Sequence, residues 1–325
     1  MAEETAIIVW NSKTGEENFI RQADFSTNVK DMGFLVPTPN LPTLAPFKDT
    51  VFKTLHDVAH PVTYNRHTGY KFTFPSAPTE AAAGAAGVPA GSVFVFSTQI
   101  VAGYKATVLK ATDSSALAGW LKSNGYAMRP ALAKWLDEYV KRGWYLTAFK
   151  FVGSKDDLGI KSPLVRITFQ TKAPVYPYRE PSDTKGDSTR SLRLYVVSDV
   201  GLKPTVDGRP WLAKMESSFP LDYQTKGELA LAMKKSTSSI PANPNMSVYL
   251  DQRSSRKAMG DLEFQPTKAL PKYLLPTPMQ VEQDLRKEVP ITVWLPLGIL
   301  GIAVVVSGFR GLWRLWHKDD HLEAQ

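Results

Sequence analysis

Histidines spaced for metal binding are the first residues in this sequence whose types suggest chemistry. His56 and His60 stand four positions apart, and His67 follows nearby. Two imidazoles one helical turn apart can bind a divalent metal when a carboxylate completes the ligand set. Asp57 or Asp49 would supply that carboxylate. The pattern indicates a candidate metal site at His56 and His60.

The alternative for these histidines is a role in packing or on the solvated surface. Pro61 follows His60 directly and favours a helix end there, and no glutamate stands where a general base would be needed. His317 and His321 have the same spacing and would suit a metal or a tetrapyrrole. A helical tail at the level of lipid headgroups explains that second pair more simply, so we expect no cofactor.

Other catalytic patterns are missing from the sequence. The chain has no cysteine, which excludes disulfides, thiol nucleophiles and cysteine-ligated metal centres within it. No serine stands in a Gly-x-Ser-x-Gly elbow. Paired carboxylates such as Asp156 and Asp157 are adjacent, and neighbours in a strand point to opposite faces. We therefore predict that the protein is not an enzyme.

The charge distribution argues against one class of partner. The net charge is +8, but the basic residues are scattered along the chain. A nucleic-acid reader usually concentrates basic residues on one face. We expect no nucleic-acid partner, and a mildly basic surface suits a position near anionic lipid.

The elements that would position these residues follow an α+β pattern. Residues 5–10 and 17–25, with a turn between them, predict a β-hairpin, and 33–37 predict an edge strand because prolines follow. Residues 47–57 predict a short helix that carries His56. Further strands are predicted at 70–74, 93–96, 164–169 and 192–197. After Gly201 the chain is Pro-rich, and we expect it to be irregular, with a helix within 223–235 and a strand near 248–250.

The most regular region runs from residue 103 to residue 151. A strand at 104–109 leads to a helix capped by Thr112 or Asp113 and ended by Gly125. A second helix begins at Pro130 and ends at Gly143, before a strand at 144–151. The prediction is an α+β fold with mixed and antiparallel sheets and a two-helix insertion, plus one C-terminal transmembrane helix.

That transmembrane helix is predicted from residues 289–309, which carry no charge. As a helix they would extend about 30 Å, the thickness of a bilayer's hydrocarbon core. The segment predicts membrane lipid as a partner, with an entering helix that begins within 280–287. The residues expected at the membrane interface are Trp294, Arg310, Trp313, Arg314 and Trp316.

Small side chains within this segment predict a second partner. Ala303, Ser307 and Gly311 recur every four residues, and such faces allow close helix–helix approach in lipid. We therefore expect contacts with other membrane-protein subunits. The predicted organisation is an α+β domain at 1–265, a Pro-rich stalk at 266–288, the span at 289–309 and a short cytoplasmic tail at 310–325.

Several sequence stretches resemble one bacterial family. They are GYKATVLKATD at 103–113, WLKSNGY at 120–126, YVKRGWYLTAFK at 139–150, GFLVPTP at 33–39 and PVYPYR at 174–179. Together they resemble the bacterial domain of unknown function 2330 over about residues 5–215. The resemblance implies an exported protein, usually with a signal peptide and with cysteines near the mature start, and it supplies no catalytic residues.

This sequence departs from the family pattern because it shows neither feature. We therefore expect Met1 to be a processed or displaced start and the large domain to be periplasmic, anchored in a bacterial cell membrane by a single pass. The predicted function is a non-catalytic interaction module, an accessory subunit of a larger membrane complex. The alternatives are an anchored metal binder or enzyme that uses His56 and His60, and a cytoplasm-facing tail-anchored protein.

Overall fold

The computed structural model describes most of the chain before residue 289. The described residues are 2–23, 33–67, 70–71, 93–152, 164–183, 190–234, 240–253, 256, 259–269, 273–284 and 287–288. The chain forms two compact units. One combines residues 1–61 and 81–277, and the other combines residues 62–80 and 278–325.

Strands predominate over helices in these residues. The helices are α1 (Thr50–Ala59), α2 (Ser114–Ser123), α3 (Pro130–Lys141) and α4 (Tyr223–Ala232). The strands are β1 (Ala2–Asn11), β2 (Glu16–Ala23), β3 (Gly33–Thr38), β4 (Thr43–Pro46), β5 (Val62–His67), β6 (Tyr70–Lys71), β7 (Phe94–Val101), β8 (Tyr104–Lys110), β9 (Tyr145–Phe151), β10 (Val165–Gln170), β11 (Val175–Tyr176), β12 (Arg190–Ser198), β13 (Gly201–Val206), β14 (Arg209–Pro210), β15 (Lys214–Pro220), β16 (Asn245–Asp251), β17 (Leu262–Thr267), β18 (Met279–Asp284) and β19 (Lys287–Glu288).

A seven-stranded sheet is the centre of the first unit. Its order is β15-β16-β12-β1-β2-β10-β4, with β1 parallel to β12 and every other neighbouring pair antiparallel. Alternation along β1 sends Ile7 and Val9 to a core that contains Leu55 of α1 and Leu229 of α4. Helices α1 and α4 therefore pack on one face of this sheet.

The opposite face of β1 packs on two smaller sheets. Their orders are β11-β17-β13-β14 and β3-β9-β8-β7. Ile8 and Phe19 share one core with Phe264 of β17 and Phe149 of β9. A third core joins β8 and β9 to α2 and α3. The predicted two-helix insertion therefore packs against the two paired strands that it connects in sequence.

The ends of the two inserted helices are set by local sequence. Asp113 accepts a hydrogen bond from the Ala116 N–H at 2.7 Å, and Pro130 occupies the first turn of α3. Gly125 and Gly143 follow the helices with φ of 79° and 67°, a conformation that glycine adopts without a Cβ clash. These predicted boundaries are confirmed.

The coarse fold prediction is also confirmed as a mixed α+β fold. The N-terminal hairpin forms, and β3 is an edge strand as its prolines required. The expectation of irregular chain after Gly201 is wrong, because β13, β14, β15 and β17 all follow it. Pro210 lies in the edge strand β14, where a missing N–H is tolerated, and Pro204 uses its carbonyl to accept from the Trp211 N–H at 3.1 Å.

In the second unit the structure gives strands where a helix was expected. Strand β18 pairs parallel with β5, and β19 pairs parallel with β6. The predicted helical start within 280–287 is therefore wrong. Among the described residues, none of the helices has both the length and the apolar character needed to cross a bilayer.

The predicted span at 289–309 and the tail at 310–325 lie outside the described residues. The division into domain, stalk, span and tail therefore stays a prediction. The same holds for the residues assigned to these segments, which are Trp294, Ala303, Ser307, Arg310, Gly311, Trp313, Arg314, Trp316, His317 and His321.

Candidate functional site

A cavity of about 360 Å³ lies among β2, β3, α3 and the chain that follows β11. This volume falls at the small end of the range for small-molecule pockets. Most of its lining is aromatic, aliphatic or proline, and the charged groups among the described lining residues are guanidiniums. The lining residues are Phe19, Arg21, Gly33, Phe34, Leu35, Val36, Pro37, Tyr126, Ala127, Arg129, Leu132, Trp135, Tyr176, Pro177 and Pro181.

Close packing fixes the aromatic wall of the cavity. A Cβ on Gly33 would lie 2.9 Å from the Tyr126 ring, so glycine lets that ring lie against β3. The Tyr126 ring also stacks on Trp120, with centroids 6.4 Å apart. Trp135 donates its indole N–H to the Arg179 carbonyl at 2.9 Å. Burial raises the pKa of Tyr126, so its hydroxyl stays protonated and cannot act as a base near neutral pH.

The two guanidiniums of the cavity are held by carboxylates outside its lining. Arg21 donates from Nε to Glu4 Oε1 at 2.5 Å, and Arg129 forms an ion pair with Asp183. The Arg21 side chain is 32% exposed and the Arg129 side chain 48%. Both therefore reach solvent as well as the cavity.

A buried ionic network stands behind Arg21. Glu4 also accepts from the Tyr176 hydroxyl and from Arg256 Nη1, the latter at 3.2 Å. Burial alone would raise the pKa of Glu4, but the Arg21 and Arg256 guanidiniums outweigh it and hold the pKa at about 2. Glu4 is therefore ionised, and it fixes Arg21 at the edge of the cavity.

The network continues to a second buried carboxylate, Asp251. It accepts from the Tyr178 hydroxyl at 2.5 Å and forms ion pairs with Arg253 at 3.2 Å and Arg256 at 3.8 Å. The Arg256 guanidinium carbon lies 4.7 Å from the Tyr178 ring centroid, within cation–π range. Arg256 thus bridges Glu4 and Asp251.

Glu17 is a buried carboxyl without a cationic partner in the described part of the chain. It lies on the same face of β2 as Phe19 and is 0% exposed. One oxygen accepts from the Val175 N–H at 3.0 Å, while Oε1 has no hydrogen-bond partner. Burial raises the pKa of Glu17 well above its ordinary value, against the lowering effect of the Val175 N–H.

The histidine pair predicted as a metal candidate has structural contacts. The rings of His56 and His60 stack with centroids 4.4 Å apart. His56 Nδ1 lies 3.3 Å from the Tyr195 hydroxyl, and His60 Nδ1 lies 3.1 Å from the His56 carbonyl. The backbone of His60 is no longer helical, with φ of −134° and ψ of 65°, as the following Pro61 favoured.

Carboxylates do not complete a ligand set around this pair. Asp57 forms an ion pair with Lys53, and Asp49 stands at the start of α1. His60 Nε2 lies 3.5 Å from Glu216, which also pairs with Arg193. Across the described residues, no three His, Cys, Asp or Glu side chains are placed to hold a metal ion.

A metal at His56 and His60 therefore stays a prediction. His67, the third histidine of this region, lies in β5.

A family model described as "Uncharacterized protein conserved in bacteria (DUF2330)" matches residues 1–209. The chain belongs to the DUF2330 family. The match confirms the family expected from the sequence stretches, and it spans all the described residues that line the cavity. Strands β15, β16 and β17 follow the matched range yet complete two of the sheets. The fold unit of this DUF2330 protein thus extends beyond residue 209.

Among solved structures, the chain is similar to a mutated baculovirus P35 after caspase cleavage. The two share 8% sequence identity, with 82% of this chain and 97% of that chain covered, at a TM-score of 0.36. A likeness of that size carries no argument about fold or function. Comparison with curated proteins gives no match.

Sequence reasoning did not single out the residues of the cavity. Arg21, Arg129 and Tyr176 have ordinary sequence contexts, and their proximity depends on the fold. A usable signal was present, however. The family-like stretches 33–39, 120–126 and 174–179 all contribute residues to the cavity lining.

Proposed function

We propose that this DUF2330 protein is a non-enzymatic, single-pass membrane protein of bacteria. Its α+β domain acts outside the cytoplasm as a recognition module and serves as an accessory subunit of a larger membrane complex. The single observation that carries the recognition role is the chemistry of the 360 Å³ cavity.

The cavity has the composition of a binding site rather than a catalytic one. Its lining contains no Ser, Thr, Cys, Lys, His, Asp or Glu among the described residues. Burial raises the pKa of both lining tyrosines, Tyr126 and Tyr176, so neither supplies a base near neutral pH. Side chains that transfer protons or attack substrates are thus replaced by aromatic and aliphatic contacts.

The membrane attachment rests on the uncharged segment 289–309. We expect full-length protein to remain in the membrane fraction after alkaline carbonate washing. An Ile299→Lys variant should be released in part, because residue 299 is the centre of the predicted span and a lysine there costs roughly 3 kcal/mol of insertion free energy. Release of the unaltered chain by carbonate would contradict the anchor.

The subunit role is tested by size and by crosslinking. Extraction from native membranes in mild detergent should give a particle larger than the lone chain in light scattering, and a stable monomer would contradict the proposal. Because the chain has no cysteine, single cysteines report one position each. Ala303→Cys and Ser307→Cys should crosslink to partner helices, while Val305→Cys on the opposite face serves as the control.

Orientation separates the proposal from the cytoplasm-facing alternative. In intact spheroplasts, added protease should degrade the large domain if it lies outside the cytoplasm. Protection of the domain until the membrane is lysed would support the alternative orientation.

A further inference from the structure

We propose that the cavity binds a small amphiphilic anion, in which an apolar ring or short chain carries one carboxylate-like group. Arg21 and Arg129 would hold the anionic group, and the aromatic wall would hold the apolar body. The inference deepens the proposed recognition role and rests on it.

Arg21 is arranged to bind an anion. Its Nε is anchored to Glu4, and Glu4 is held in turn by Tyr176 and Arg256. Within the described residues, no hydrogen bond engages the two Nη groups of Arg21, and the side chain lines the cavity. A guanidinium fixed along one edge presents its other donors in the planar geometry that suits a carboxylate.

Arg129 adds a second positive charge that is easily redirected. Its partner Asp183 is 39% exposed, and an exposed ion pair contributes little free energy in water. A ligand anion can therefore replace or share that contact at small cost. No carboxylate lies among the lining residues to repel it, within the part of the chain that the structure describes.

The rest of the cavity selects the body of the ligand. Phe19, Phe34, Leu132 and Trp135 offer apolar surface, and the volume suits a small molecule rather than a long chain. A cationic ligand would meet two guanidiniums without a lining countercharge. A neutral apolar ligand would leave the guanidinium donors unused. The lining therefore favours a compact apolar anion over both.

The proposal is tested with three probes that share one apolar body. The full chain, held in phosphatidylcholine nanodiscs, is titrated by calorimetry with 4-phenylbutyrate, 4-phenylbutanol and 4-phenylbutylamine, with empty nanodiscs subtracted. We expect the carboxylate to bind at least tenfold more tightly than the alcohol and the amine to bind most weakly. Equal binding of the three probes, or binding of none, overturns the proposal.

Matched variants locate the binding. Arg129→Gln should weaken 4-phenylbutyrate binding severalfold without abolishing its preference over the alcohol, because Arg21 remains. Lys134→Gln, an equal charge change at an exposed position of α3, should leave the affinity unchanged. Ala127→Trp should weaken all three probes at least tenfold, because Ala127 is exposed yet lines the cavity. Equal effects of Arg129→Gln and Lys134→Gln would indicate only a general charge effect and overturn the assignment.

A further arm separates two sources of the same chemistry. If an anionic lipid headgroup supplies the anion, nanodiscs of phosphatidylglycerol should lower the affinity for 4-phenylbutyrate more in the natural chain than in Arg129→Gln, because repulsion by the charged bilayer acts on both chains equally. If the natural ligand is a free carboxylate, the lipid change should have no such effect. A chain that binds the probe but is monomeric in membranes disproves the subunit role alone. If the chain forms a complex but does not bind 4-phenylbutyrate, only the proposed ligand is disproved.

Discussion

Glu4 and Glu17 lie at opposite ends of one hairpin and on the same core face, yet burial has opposite outcomes for them. Glu4 meets two guanidiniums and a tyrosine hydroxyl, and its pKa falls to about 2. Glu17 meets one backbone N–H, and its pKa rises well above the ordinary value. The Glu4 side chain is 13% exposed and Glu17 is 0% exposed, so both are largely removed from solvent. Their different neighbours determine which of them is ionised.

The comparison shows how the β1–β2 hairpin divides its roles. At the Glu4 end, the ionic network holds the Arg21 guanidinium beside the cavity and keeps both Glu4 and Arg21 charged. At the Glu17 end, the apolar core tolerates a carboxyl only while that carboxyl is neutral. The two ends should therefore respond to acid in opposite directions.

The largest effect should come from removing the cation shared by Glu4 and Asp251. Arg256→Met leaves two buried carboxylates undercompensated and should lower the free energy of unfolding by about 3–5 kcal/mol. The side chain is only 6% exposed, so water cannot replace it. Urea unfolding of the full chain, followed by tryptophan fluorescence, measures the loss.

Arg253→Met is the control for this change. The Arg253 side chain is 27% exposed and pairs, among the described residues, with Asp251 alone, so the loss should be about 1 kcal/mol. Equal losses for the two variants would show that the bridging position of Arg256 has no special weight.

Glu4→Gln should remove a stabilisation that the natural chain has near neutral pH and loses in acid. The pKa of Glu4 in the folded chain is about 2, against an ordinary 4.5, so its contribution is about 3 kcal/mol above pH 4.5. That contribution is lost as the pH falls from 4.5 toward 2. The difference between the natural chain and the variant should therefore shrink over this window in urea unfolding, and a constant difference would contradict the ionised network.

Glu17→Gln should act with the opposite sign. A raised pKa means that stability is fully present below the ordinary value of 4.5 and is lost as the pH rises toward the folded pKa. Relative to the natural chain, the variant should gain up to about 1.4 kcal/mol per pH unit above 4.5 until that pKa is reached. Parallel stability curves for the two proteins from pH 4 to pH 8 would disprove a buried neutral carboxyl.

The smallest change sharpens the Glu4 side of the comparison. Tyr176→Phe removes only the hydroxyl that donates to Glu4, and a hydrogen bond to a charged group contributes about 1.5–3 kcal/mol. We expect a loss near the lower figure, because both guanidiniums remain. Tyr176→Phe in a Glu4→Gln background should cost less than in the natural chain, and additive losses would argue against coupling.

Local sequence signals predicted much of the fold. The turn and the alternation at the N-terminus predicted the hairpin, and Asp113, Pro130 and the two helix-ending glycines predicted the inserted helices. These features depend on hydrogen bonds and dihedral angles within a few residues. The strands after Gly201 were not predicted because the high proline content of that region was taken as a sign of irregular chain. The prolines in fact occupy positions that the sheets tolerate.

The site was less predictable because its contacts join distant parts of the chain. Glu4 and Arg256 are 252 positions apart, and Tyr176 is 172 positions from Glu4. No periodicity brings such residues together before the sheet order is known. The histidines were predicted as metal ligands from their spacing alone. In the structure, their Nδ1 atoms lie beside the Tyr195 hydroxyl and a backbone carbonyl, and His60 Nε2 lies 3.5 Å from Glu216.

The parallel pairing of β1 with β12 has a consequence for biogenesis. Strand β1 is synthesised long before β12, the parallel strand that flanks it in the finished sheet and that ends at Ser198. The outer edge of β1 in a newly made β1–β2 hairpin therefore stays unpaired while most of the domain is synthesised. Such distant pairing slows folding, and an unpaired edge invites association with other chains.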